Sequence, residues 1–106
     1  MIVAALRLTF MVPPDSGSHK STAQKIKERL WSHFKVAVSE IPQHGPSELI
    51  IGVSFVGHQE GAMQNRTQEI IRHLQDWAAV DLTFDESELI YFNDLELERD
   101  LAKYDP

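Results

Sequence analysis

Leu49-Ile50-Ile51-Gly52-Val53-Ser54-Phe55-Val56 is the densest apolar run of this 106-residue chain. It is short, rich in β-branched residues and closed by Gly57, which are the marks of a buried strand. Alternation puts Leu49, Ile51, Val53 and Phe55 on one face. Ile50, Gly52, Ser54 and Val56 share the other, which is small in its middle. The pattern predicts a central strand with one face on a core and the other left open.

Outward from this strand, the other elements follow in order. Ile2 to Met11 alternates, with Ile2, Ala4, Leu6, Leu8 and Phe10 as the core set and Arg7 and Thr9 in the opposite set. Pro13-Pro14 ends that strand, because proline supplies no ladder donor. A helix is predicted from Ser18 or Lys20 to Phe34, with Ala23, Ile26, Leu30 and Phe34 on one stripe and Trp31 at its edge. Rim packing under lysine stems is the ordinary reading of Trp31, with Lys20 and Lys27 on its flank. Lys35 to Ile41 is a short strand, and Pro42 to Pro46 a turn-rich connection. A second helix is predicted from Gly61 or Ala62 to Trp77, with Met63, Ile70, Leu74 and Trp77 as its stripe. Val80, Leu82 and Phe84 begin a last strand that Asp85-Glu86-Ser87 interrupts and Glu88 to Phe92 resumes after a bulge or bend. Asn93 to Tyr104 reads as a short terminal helix, with a capping-box spacing at Asn93 and Glu96 and a stripe of Leu97, Leu101 and Tyr104. At this length such a helix needs a surface to lie on.

Strand, helix, strand, strand, helix, strand is the split βαβ arrangement. The expected architecture is an α+β, ferredoxin-like βαββαβ sandwich: a four-stranded antiparallel sheet with two helices on one face, plus the short C-terminal helix. Residues 1–92 would form the domain and residues 93–106 an acidic extension.

Composition bounds the function. The chain is 42% hydrophobic and 25% charged, ordinary for a globular domain. It has no cysteine, which excludes disulfides, thiolate chemistry and cysteine-based metal sites. With no apolar run near the ~20 residues of a membrane span and no basic start ahead of Ile2, a cytoplasmic protein is expected. The net charge of −6 is carried by residues 85–106. Lys20, Lys25, Lys27, Arg29 and Lys35 cluster on and after the first helix, opposed there by Glu28. They are the candidate residues for a polyanion.

Catalytic and metal motifs fail on spacing. Gly17-Ser18-His19-Lys20-Ser21-Thr22 ends like a phosphate loop, but His19 and Asp15 stand where that loop needs glycine. Adventitious anion binding at the helix start is the modest expectation. His19, His33, His44, His58 and His73 include no i, i+4 pair on a helix, so no metal site is expected. No cofactor or catalytic residue is assigned, and an enzyme is the less favoured class. Base stacking on the sheet is disfavoured too, since Phe10 and Phe55 belong to the core faces.

Several stretches resemble a known family. Lys27-Glu28-Arg29-Leu30-Trp31-Ser32-His33-Phe34-Lys35-Val36-Ala37-Val38-Ser39-Glu40-Ile41 is similar to the passage from helix one into strand two of the YlxP-like proteins, the bacterial domain-of-unknown-function family numbered 503. Met1 to Leu8 and Glu48 to Val56 resemble that family's first and third strands. The resemblance covers roughly residues 1–92. It implies a ferredoxin-like fold and a small, dimeric cytoplasmic protein with no established activity. The family's gene neighbours in translation and ribosome maturation hint at RNA. Two departures stand out: Asp15-Ser16-Gly17-Ser18-His19-Lys20 replaces a more basic stretch before helix one, and Asn93 to Pro106 is an extension.

The function expected is therefore a non-enzymatic, homodimeric interaction protein that uses its open sheet face. The candidate interface is Arg7, Thr9, Gly52 and Ser54 with Leu97, Leu101 and Tyr104, the tail lying on its own sheet or the sheet pairing with a second copy. The alternative is an RNA- or ribosome-associated factor acting through the basic first helix.

Overall fold

Six elements follow one another in the computed structural model, which describes residues 1–15, 17–42 and 45–92. They are β1 (Ile2–Met11), α1 (Ser18–Phe34), β2 (Ala37–Ile41), β3 (Glu48–Gly57), α2 (Glu60–Asp76) and β4 (Leu82–Tyr91). The strands form one antiparallel sheet in the order β2-β3-β1-β4, so the two most apolar strands are central. The fold is the ferredoxin-like βαββαβ sandwich. The C-terminal helix expected over Asn93–Tyr104 lies outside the described residues.

Alternation decides which side the helices cover. Ile2, Ala4, Leu6, Leu8 and Phe10 of β1 and Leu49, Ile51, Val53 and Phe55 of β3 are all buried. Against them α1 presents Ala23, Ile26 and Leu30, and α2 presents Met63, Ile70, Ile71 and Leu74. Thr67 fills the gap in the α2 stripe and satisfies its hydroxyl by donating to the Met63 carbonyl at 2.9 Å. Gly57 leaves room for the Met63 side chain of α2 at the end of β3: a Cβ there would sit 2.5 Å from Met63 Sδ. No helix among the described residues is long and apolar enough to cross a membrane.

Three local expectations are corrected. The second strand begins at Ala37, not Lys35, because Lys35 adopts a left-handed conformation (φ 54°) that ends α1, its N–H donating to the Trp31 carbonyl at 3.1 Å. Lys35 is also the cation over Trp31, with Nζ 5.0 Å from the ring centroid, where Lys20 and Lys27 were expected. The last strand is not interrupted at Asp85-Glu86-Ser87. Its irregularity comes earlier: Thr9 pairs with Phe84 but Phe10 pairs with Leu82, so Thr83 is the extra residue of a β-bulge. The Thr83 hydroxyl donates to the Thr9 carbonyl at 3.1 Å. In consequence Leu82 turns to the core beside Phe10, while Phe84 turns to the uncovered face beside Thr9.

Candidate interaction site: the uncovered sheet face

In each strand the side chains that alternate with the core-facing set point away from the helices. Strand register brings these residues together row by row. Arg7 stands opposite Gly52 on one side and Glu86 on the other, and Ser39 lies beyond Gly52. The next row is Ala37, Ser54, Ala5 and Glu88. Small side chains in these two rows leave a shallow depression of about 380 Å³ beside Ala5, bounded by Arg7, Glu86 and Glu88. The predicted Arg7, Thr9, Gly52 and Ser54 therefore lie on one face and next to one another. Leu97, Leu101 and Tyr104 lie outside the described residues.

The ends of this face are apolar; alternation places Val56 there, but the sequence reading did not assign Phe84, Ile90 or Phe92 to it. Met11 and Phe84 stand exposed at one end, at 58% and 55%, and Val56, Ile90 and Phe92 at the other, at 61%, 41% and 51%. Alternation in β3 and β4 carries the signal for Val56 and Ile90. For Phe84 the signal was hidden, because unbroken alternation places it with Leu82. A depression between two apolar ends is thus crossed by the ion pair of Arg7 with Glu86, whose side chains are 57% and 46% exposed. At that exposure the pair contributes no more than ~1 kcal/mol to the fold.

The edges of the sheet differ from its face. β4 carries Asp85, Glu86 and Glu88 at exposed positions. Acidic side chains along a free edge oppose pairing with another strand. On the covered side of β4, the Tyr91 hydroxyl donates to Glu60 Oε1 at 2.7 Å, which ties the edge to the start of α2 and raises the Tyr91 pKa.

The basic residues of α1 do not form one patch. With a 100° step per residue, Lys20 and Lys27 fall on one flank of the helix and Lys25 and Arg29 on the other. Arg29 is engaged across the helix interface, its Cζ 4.3 Å from the Trp77 ring centroid. The start of α1 is also occupied. Asp15 Oδ1 accepts from the Ser18 N–H at 3.1 Å and from the Ser18 hydroxyl at 2.5 Å, and this hydrogen bonding lowers the Asp15 pKa. A carboxylate already holds the position where an anion was expected. His19 Nε2 lies 2.8 Å from the Glu48 carbonyl and His58 is exposed ahead of α2. No group of three metal-ligating side chains occurs among the described residues.

Sheet and helices together define a ferredoxin-like domain with one sheet face that no described element covers. The chain belongs to the family described as Protein of unknown function (DUF503), whose model matches residues 3–85. Among curated proteins, no sequence matches this chain. A de novo designed protein, Foldit4, is structurally similar with a TM-score of 0.58 at 10% identity, over 87% of this chain and 98% of that one. So is a protein of unknown function from Nitrosomonas europaea, with a TM-score of 0.51 at 17% identity, over 87% of this chain and 90% of that one. At such identities the likeness shows the fold alone.

Proposed function

We propose that the protein is a homodimeric interaction module whose two copies pack through their uncovered sheet faces. The observation that carries this reading is the grouping of Met11, Val56, Phe84, Ile90 and Phe92, five exposed apolar side chains, at the two ends of a single sheet face. Clusters of exposed apolar side chains rimmed by polar residues mark interaction surfaces. Strand spacing and rise give the face roughly 600 Å² per copy, or about 1,200 Å² for a pair, the lower bound of a standard interface. Charge supports a second copy as the occupant. A two-fold axis through the depression would set Arg7 of each copy against the Glu86 and Glu88 carboxylates of the other, in exchange for its own pairing with Glu86. The like-charged β4 edge favours face packing over edge pairing.

Sedimentation equilibrium tests the proposal. A dimer is expected at micromolar concentration, with Phe84→Asp and Ser54→Glu each giving a monomer of unchanged circular dichroism. Both positions are exposed, so the fold of one copy does not depend on them. A monomeric parent protein overturns the reading. If the parent is monomeric and a variant lacking residues 93–106 dimerises, the chain's own tail is the occupant instead. The alternative, RNA binding through α1, rests on the charge of Lys20, Lys25, Lys27, Arg29 and Lys35. Binding that falls steeply with added salt would favour it.

A further inference from the structure

On the helix side of the molecule, remote from the uncovered face, a groove of about 500 Å³ runs between the C-terminal halves of α1 and α2. Its volume lies within the range of small-molecule sites. Phe34 and Trp77 give it an aromatic wall, and Arg29 and Arg72 bring a guanidinium from each helix. Stacking on Trp77 holds Arg29 in place without neutralising it. Neither arginine forms an ion pair with the groove's carboxylates, Glu69 and Asp76, among the described residues. Both therefore keep their in-plane N–H donors for a ligand. His73 lines the same groove, and its Nε2 is buried with no hydrogen-bond partner among the described residues. The imidazole packs edge-on to Phe34 at 5.5 Å and against His33 at 4.7 Å between ring centroids.

We propose that this groove binds a small aromatic anion, an aryl phosphate or aryl carboxylate, with its charge on Arg29 and Arg72 and its ring against Phe34 and Trp77. The two carboxylates argue against an extended polyanion, because they would meet its neighbouring phosphates. A compact anion can sit between the guanidinium groups and avoid them. An anion held there also offsets the positive field of Arg29, which disfavours the charged form of His73.

Phenyl phosphate is the probe. In a Trp31→Phe background Trp77 is the remaining tryptophan, and its fluorescence should change saturably as the probe is added. The imidazole resonances of His73, followed by NMR against pH, should titrate at higher pH in the bound state. Arg72→Ala, at an exposed position, should weaken binding by about tenfold or more, and Lys25→Ala should leave it unchanged. No saturation overturns the site. Equal binding by Arg72→Ala, or by inorganic phosphate in place of the aryl ester, reduces the effect to general ion attraction and also overturns it.

Discussion

His73 shows how one side chain can set a pH dependence. It stands on α2 with Phe34, His33 and Arg29 facing it from α1 and Glu69, Arg72 and Asp76 near it on its own helix. Burial pushes its pKa below the ordinary imidazole value, and His33 and Arg29 push the same way, while Asp76 opposes them. The folded state therefore resists the proton that the unfolded chain accepts. Stability is fully present above the unfolded value of about 6.5 and falls as the pH drops below it. The thermal midpoint of the parent protein should decline between about pH 7 and pH 5.5, and His73→Phe should flatten that decline. An equal slope in both proteins would place the effect elsewhere. This histidine was not legible as a site residue, because its environment is assembled from two helices far apart in sequence. The pairing of positions 29 with 77 and 33 with 73 is what an antiparallel helix pair gives, and that relation was the available signal.

At the scale of the element, the end of α1 is the informative case. Lys35 holds a left-handed backbone, which favours glycine, and the strain costs roughly 1–2 kcal/mol. Its charge near the helix C-terminus returns about 0.3–1 kcal/mol. Strain is the larger effect, so Lys35→Gly should stabilise the fold by about 0.5–1 kcal/mol in urea denaturation. A loss of stability would mean that the cation over Trp31 outweighs the backbone. Arg66 of α2 would remain to cap the same end, since it donates to the Phe34 carbonyl. Sequence periodicity gave both helices and their buried stripes, because packing against a sheet demands that spacing. It did not give this terminus. Lysine carries no local signal for the left-handed region, and the β-branched residues after it extended the apparent strand.

For the whole molecule, the βαββαβ order was readable from the alternation of β1 and β3 and from the two helical stripes. The face left bare by the helices was readable at its centre, where Arg7, Thr9, Gly52 and Ser54 mark it, but not at its ends. There the exposed apolar residues come from three strands; alternation marks Val56 and Ile90, but register is needed to bring Phe84 to the same side. If two copies join by this face, folding and association are linked, and the thermal midpoint should rise with protein concentration. The Phe84→Asp variant should lose that dependence. A midpoint that is constant across a hundredfold dilution, about 100-fold in all, would separate folding from association.

The bulge at Thr83 gives the last strand an unequal tolerance of changes in length. Deleting Thr83 would leave Leu82 opposite Phe10 and Phe84 opposite Thr9 in an unbroken ladder, so both surfaces would keep their residues. Inserting a neighbour would leave two residues to be looped out of one gap. The alternative is a slip in which Asp85, Ser87, Leu89 and Tyr91 trade places with Phe84, Glu86, Glu88 and Ile90. Thr83 thus acts as slack in the chain: the outer surface keeps its residues when that slack is removed and is at risk only when the strand is lengthened.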